Sequence, residues 1–263
     1  MRDLQDRKPD VAENLERVGI TNLRTLVVTR WKGHEYRFVP TIELTIDLDR
    51  GRKGAHMSRL VESITEVIEA ETGKKYSSFE ELERKILKKL EQKHSHKKAE
   101  ISMRTELVVE RKTPATRKKT MECHDIFVKL VKNNGRFTKI LRVDVVGNTA
   151  CPHSMEHVGK PHIQRAVGTL ELETAYENPA ELEDMIKCVE SSFSSKVYTI
   201  LKTEDESAVV REIYKKPKFV EDVCREIISN AKRKFRNCRI RAKVVSQESI
   251  HRHDVVAEGW CDA

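Results

Sequence analysis

Aromatic side chains are scarce: Phe, Trp and Tyr together make up 5% of the 263 residues. The few rings are not interleaved with basic residues, so the stacking platform that holds single-stranded nucleic acid is missing. No long apolar run occurs and the mean hydropathy is -0.59, which leaves no candidate for a membrane-spanning helix. The opening Met1-Arg2-Asp3-Leu4-Gln5 has no apolar core behind a basic head. No secretory signal is therefore visible, and a cytoplasmic protein is expected. The six cysteines (Cys123, Cys151, Cys188, Cys224, Cys238, Cys261) include no Cys-x-x-Cys pair, which argues against a structural zinc knuckle. Cys188 and Cys224 fall in amphipathic helical patterns and read as small buried hydrophobes. Gly-x-x-x-x-Gly-Lys-Ser/Thr is absent, so phosphates are not held by a P-loop.

Charge, by contrast, is plentiful. Lys and Arg number 50 against 42 Asp and Glu, a net charge of +8. Such a balance suits an anionic partner, either nucleic acid or a phosphorylated small molecule. The length allows one large domain or two modest ones.

The chain reads as a repeat. Residues 1–20 are polar and are expected to form a loose arm, with a strand over Leu23–Trp31 and a turn at Gly33-His34-Glu35. Ile42, Leu44, Ile46 and Leu48 alternate with polar residues, the period of a half-buried strand. Leu60, Ile64, Val67 and Ile68 form one helical stripe, and Ser77 with Glu80 suggests a capping box for a second helix. Ile101, Met103, Leu107 and Val109 mark a strand that returns through Ile126–Val131. Asn134-Gly135 is a type I′ hairpin signal, since both central residues need positive φ. The order then begins again: strands over Phe137–Val146 and Val167–Thr174, a helix after Asn178-Pro179-Ala180-Glu181, and another after Pro217. Strands over Arg239–Val245 and His253–Trp260 end the chain. Strand-strand-helix-helix-strand-strand, twice, implies an α+β protein with helices on one face of an antiparallel sheet. The halves divide at 1–133 and 134–263, with the hairpin making one continuous sheet.

Two clusters hold five of the ten histidines. The stretch Gly147-Asn148-Thr149-Ala150-Cys151-Pro152-His153-Ser154, continuing to His162-Ile163-Gln164-Arg165-Ala166, sets a cysteine and three histidines (His153, His157, His162) between two strands. Thiolate and neutral imidazole on a loop suit zinc or ferrous iron. Three protein ligands with an open position would lower the pKa of a bound water towards neutrality. The second cluster is Ser249-Ile250-His251-Arg252-His253-Asp254. There His251 and His253 are two apart in an expected strand and so share a face.

These two stretches, the second taken from Glu248, with Lys53-Gly54-Ala55-His56-Met57-Ser58-Arg59 and Pro217-Lys218-Phe219-Val220-Glu221-Asp222, resemble the type IB GTP cyclohydrolases, and among them the archaeal branch that serves methanopterin biosynthesis. Four motifs in family order span the chain from about residue 10 to its end. The resemblance implies tandem tunnelling-fold modules, each ββααββ, with most of the site in the second. It implies GTP as substrate, opening of the guanine imidazole ring, formate release and a 7,8-dihydroneopterin phosphate, here the 2′,3′-cyclic phosphate.

Carried over, Cys151, His162, Glu206 and His251 would ligate Fe2+, with Zn2+ or Mn2+ as alternatives. Cys151, His162 and His253 would be catalytic, His253 as a proton-transfer group. Glu221 would anchor guanine through two parallel hydrogen bonds, and Arg165, Arg59 and His56 would bind the rest of the substrate. Glu206 is read as lying in an acidic loop beside Glu204 and Asp205. Relatives commonly carry Cys-Pro-Cys where this chain has Cys151-Pro152-His153, so the role of a second thiol is dispensable here or taken by imidazole. A homo-oligomer, dimer or tetramer, with the site at a subunit interface is implied, without nucleic acid or membrane. Two other readings remain: a tunnelling-fold enzyme on another purine or pterin, or a basic nucleic-acid-binding protein without catalysis.

Overall fold

Alternation along Thr41–Leu48 buries Ile42, Leu44, Ile46 and Leu48 and leaves Thr41, Glu43 and Asp47 outside. In the computed structural model, which describes residues 3–31, 34–70 and 78–263, this strand is β4. The chain divides into two compact units. Unit 1 comprises 1–105 and 127–140; unit 2 comprises 106–126 and 141–263. The expected boundary at 133/134 falls in the turn of a hairpin, whereas the division between the units passes through three long strands. These are β5 (Lys98–Lys112), β6 (Lys119–Asn133) and β7 (Arg136–Ala150).

In unit 1, β1 (Leu15–Arg24) pairs antiparallel with β4, and β4 pairs antiparallel with the start of β5. Between β4 and β5 run α1 (Met57–Ala70) and α2 (Phe79–Lys93). Two helices return the chain to the end of the sheet it left, so the next strand is antiparallel. Leu60 and Ile64 of α1 and Leu82, Ile86, Leu87 and Leu90 of α2 are fully buried with Ile42, Leu44 and Ile101. Ser78 caps α2 by accepting the Glu81 N–H at 3.2 Å; the expected cap Ser77 lies outside the described residues. Asn134 and Gly135 have φ of 47° and 81°, as the expected hairpin requires.

Two expectations fail near the start. Residues 15–24 are not a loose arm, because β1 supplies the pairing that β4 would otherwise lack. The expected strand over Leu23–Trp31 is instead the end of β1 and a separate β2 (Val27–Trp31), which pairs with β3 (His34–Phe38). Gly33 of the expected turn lies outside the described residues.

Unit 2 repeats the order. From β7 the chain passes through α3 (Pro152–Val158) to β8 (Ile163–Ala175). It continues through α4 (Leu182–Glu190), the short β9 (Ser195–Lys196), α5 (Thr203–Lys215) and α6 (Val220–Lys234). It ends in β10 (Cys238–Ser246) and β11 (Val255–Asp262). β10 pairs antiparallel with both β8 and β11. Leu170, Leu172, Ile240, Ala242 and Val244 meet Met185, Val189, Val223 and Ile227 in the core. Gly147 is needed for close approach: a Cβ there would lie 2.2 Å from the Phe193 ring.

The repeat is thus strand-strand-helices-strand-strand in both halves, with an extra hairpin in the first and additional helices in the second. The N-cap of α4 is Glu181, whose side chain makes no capping bond to the helix, and Asn178 donates to Thr174 Oγ1 at 2.7 Å and the Arg236 carbonyl at 2.7 Å. No described helix is long and apolar enough to cross a membrane.

Candidate active site

Where β7 ends, the chain cannot continue as strand, because Pro152 follows Cys151 and opens α3 at its first position. Cys151 becomes the N-cap, and its Sγ accepts the Ser154 N–H at 3.4 Å. Gly159 ends the helix with φ of 70°, and Ser154 Oγ donates to the Lys160 carbonyl at 2.8 Å. The loop then returns so that the Cys151 N–H donates to the His162 carbonyl at 3.1 Å. One backbone hydrogen bond therefore sets these two residues side by side, both half-buried.

His162 is held by three side chains. Its Nδ1 lies 3.0 Å from Gln164 Oε1, 3.4 Å from Ser249 Oγ and 3.9 Å from a Glu248 carboxylate oxygen. Gln164 Nε2 donates to the other Glu248 oxygen at 3.3 Å, which fixes the amide so that Oε1 faces the imidazole. An amide oxygen only accepts, so Nδ1 carries the proton and Nε2 presents a lone pair. A histidine that ligates a metal or acts as a base is oriented in this way, through its other nitrogen. Gln164 and Glu248 do not stand out in the sequence by residue type, although each lies inside one of its motifs.

Three of the four motifs converge here. The Gln247 N–H donates to the Arg165 carbonyl at 2.9 Å, and Thr149 Oγ1 meets Ser246 Oγ at 2.9 Å. The Ala150 N–H donates to the Lys218 carbonyl at 3.4 Å, which brings Pro217-Lys218-Phe219 against the end of β7. Lys218 Nζ is tied to the Ser192 carbonyl at 2.9 Å and to Glu226 at 2.6 Å. Glu221 stands exposed in the first turn of α6, where a carboxylate suits the helix dipole. Its side chain has no protein partner among the described residues. Arg165 is exposed.

The remaining expected residues are placed differently. His251 and His253 are not on a strand: β11 begins at Val255, and both imidazoles are exposed in the preceding loop. Their rings stack at 5.1 Å with planes 9° apart, so they do share a face, by loop geometry rather than by pleat. Glu206 is not in a loop but in the first turn of α5, and is exposed. Its neighbour Asp205 is the buried one. It accepts from Ala115 N (2.9 Å), Thr116 N (2.8 Å), Thr116 Oγ1 (2.6 Å) and Lys202 N (3.2 Å). Burial alone would raise the Asp205 carboxyl, but these donors hold it far below the usual carboxylate range. Asp205 is spoken for by structure, which leaves Glu204 and Glu206 as the free carboxylates of that turn. His153 and His157 lie on α3, exposed, with rings 4.0 Å apart.

Whether these residues could hold a divalent ion is decided by their donor chemistry. Cys151 Sγ and His162 Nε2 suit such an ion by type: a thiol on the residue whose N–H bonds the His162 carbonyl, and an imidazole whose other nitrogen is already engaged. Glu206 and His251 do not stand with them as a group of ligand atoms within 4.8 Å. In unit 1, His56 is buried just before α1, and Arg59 donates to the Lys93 carbonyl at 3.4 Å.

The fold and the sequence each have known counterparts. Uricase from Arthrobacter globiformis superposes with a TM-score of 0.59 at 6% identity, covering 94% of this chain and 93% of that one. At that identity the likeness concerns the fold alone, a tunnelling fold of antiparallel sheet with helices layered on one side. GTP cyclohydrolase MptA of Pyrococcus abyssi is 53% identical over 263 residues, and that of Thermococcus kodakarensis 53% over 264, each comparison covering 98% of either chain. GTP cyclohydrolase MptA of Methanococcus aeolicus is 34% identical over 293 residues, covering 97% of this chain and 95% of that one. The family model described as type I GTP cyclohydrolase folE2 matches residues 1–257, so this chain belongs to the type I GTP cyclohydrolase folE2 family.

Proposed function

We propose that this type I GTP cyclohydrolase, of subtype IB, opens the guanine imidazole ring of GTP in the first step of methanopterin biosynthesis. The observation that carries the reading is Cys151 beside His162, with the imidazole fixed by Gln164 and Glu248. Placed where the motifs for the other roles converge, this pair marks the reacting centre.

Cys151 and His162 would hold a divalent ion, with Glu206 and His251 as the further ligands implied by the family pattern. Fe2+ suits a thiolate–imidazole set, and Zn2+ or Mn2+ are the alternatives. Such an ion supplies Lewis acidity that makes a water nucleophilic near neutral pH. The chain's own residues do the rest. Glu221 accepts two parallel hydrogen bonds from the N1–H and amino group of guanine, an acceptor pair matched to a donor edge. His253 moves a proton to the imidazole-ring nitrogen of guanine that is released as the bond to C8 breaks. Arg165, with Arg59 as a further candidate, neutralises phosphate charge without a P-loop. Loss of C8 as formate leaves the diaminopyrimidine, and ring closure with the ribose carbons gives a 7,8-dihydroneopterin phosphate. We assign the product as the 2′,3′-cyclic phosphate, formed with release of pyrophosphate.

The protein acts as a cytoplasmic homo-oligomer, dimer or tetramer, with the pocket completed by a neighbouring copy. The test of the metal assignment is Cys151→Ser. An alcohol is a far poorer ligand than a thiolate, so anaerobically purified variant should lose most of an ion that the wild type carries near one per subunit. A variant with full metal and full activity would remove the centre of this reading.

A further inference from the structure

The N-terminal arm ends in a cluster that the chemistry at Cys151 and His162 does not account for. Leu4–Asp6 form one turn of 3-10 helix. Two backbone hydrogen bonds lay it against the loop before α1, from the Lys53 N–H to the Arg7 carbonyl (2.7 Å) and from the Gly54 N–H to the Gln5 carbonyl (3.2 Å). This docking brings Asp3 and Asp6 to either side of the His56 ring. His56 Nδ1 lies 4.0 Å from Asp3 Oδ2, and Nε2 lies 3.7 Å from Asp6 Oδ1. The group Asp3, Asp6 and His56 offers ligand atoms within 4.8 Å of one another, and among the described residues it is the one set of three or more that does so.

Carboxylates at this place have a simpler explanation, because the first turn of α1 is a positive helix end. That explanation does not account for the histidine. His56 is 9% exposed, and its Nε2 is buried with no hydrogen-bond partner, aimed at Asp6 from beyond hydrogen-bond distance. Leaving such a nitrogen unsatisfied is costly, so something is expected to meet it. A second imidazole stands beside it. The His94 ring centroid is 6.0 Å from that of His56, in an edge-on arrangement. His94 Nδ1 donates to the Ser95 carbonyl at 2.9 Å, so its Nε2 carries a lone pair, and that atom too is buried and unpartnered.

The geometry points to a second divalent-cation site, in which Asp3, Asp6 and His56 supply two carboxylates and one imidazole to a transition ion of the Mn2+–Zn2+ series. Two carboxylates balance the charge of the ion, and one His56 ring nitrogen with one oxygen of each carboxylate lie within 4.8 Å of one another, a spacing that small side-chain movements close onto an ion. Its role is structural: it clips the arm to the start of α1 and closes a loop from Asp3 to His56. This site lies in unit 1, and its ligands exclude Cys151, so it stands or falls independently of the metal proposed for the reaction.

The test uses the full chain, stripped with chelator and titrated without oxygen with Co2+, comparing wild type with Asp3→Asn/Asp6→Asn. Wild type should bind one more Co2+ per chain than the double variant, or bind it at least tenfold more tightly. That additional ion should show weak visible bands without thiolate-to-metal charge transfer, and Zn2+ should displace it. The same difference should persist when Cys151→Ser is placed in both chains, and Zn2+ should raise the Tm of wild type more than that of the double variant. Identical Co2+ isotherms with and without the two Asp→Asn changes would overturn the site and leave His56 as an ordinary ion-pair partner. An additional ion that carries thiolate charge transfer would equally overturn it, since these ligands contain no sulfur.

Discussion

Glu83 is the least comfortable residue in the fold, and replacing it should stabilise the protein. It sits on the inner face of α2 between Leu82 and Ile86, is 0% exposed, and neither carboxyl oxygen has a hydrogen-bond partner. Burial, with the nearby Glu80 carboxylate adding to it, pushes its pKa well above the ordinary 4.5. A buried polar group without a partner costs about 1–3 kcal/mol by mutational data. Glu83→Leu removes that cost and fills the same space with apolar atoms. We expect a gain of about 2 kcal/mol near neutral pH, corresponding to a Tm rise of roughly 4–8 °C for a chain of this size.

The sign of the pH dependence follows from linkage. The folded pKa is raised, so the folded state holds the proton more tightly than the unfolded chain. The favourable term is fully present below the unfolded value near 4.5 and is lost as pH rises through the folded value. The wild type should therefore lose stability across that window while Glu83→Leu does not, and the gap between them should widen with pH. Urea midpoints for both chains at several pH values, with Leu82→Ala as a control, read this directly. The control should lose about 2–5 kcal/mol. If Glu83→Leu is less stable than wild type at every pH, or the gap is flat, the carboxyl has a partner and the reasoning fails.

Two further outcomes concern the site. Glu221→Gln places a donor against the donor edge of guanine, a mispairing of about 1–3 kcal/mol; GTP turnover should fall steeply while metal content is unchanged. Unaltered turnover by the folded variant would return Glu221 to an ordinary helix-start carboxylate. If the pocket is shared between copies, inactive Cys151→Ser and inactive Glu221→Gln chains should recover activity on subunit exchange. An active monomer by light scattering would refute a shared site.

Period-two and helical patterns are strong enough to be read wherever one face meets the core. Ile42 to Leu48, Leu170 to Leu172 and the stripes of α2 and α6 all lie where their spacing puts them. Asn134-Gly135 is equally legible, because few residue pairs tolerate two positive φ values. β1 is not, since its residues run exposed to half-exposed and carry no alternation; only pairing to β4 makes it a strand. The same limit applies to the site. Cys151 with His162 can be found from residue types, but α3 between them is hidden by a run of histidines that has no helical stripe. Gln164 and Glu248 are ordinary polar residues in sequence, and their hold on His162 depends on β8 and the end of β10 being neighbours. Glu206 and Asp205 cannot be told apart without Ala115 and Thr116, whose N–H groups claim Asp205 from 90 and 89 positions away.

The central claim is tested most directly by incubating the protein without oxygen with GTP and Fe2+ and weighing the products. The account predicts formate in equal amount to GTP consumed, pyrophosphate, and a pterin with the mass of 7,8-dihydroneopterin 2′,3′-cyclic phosphate, all absent with Cys151→Ser. Unchanged GTP, or its hydrolysis to GDP and phosphate with the guanine ring intact, would contradict it.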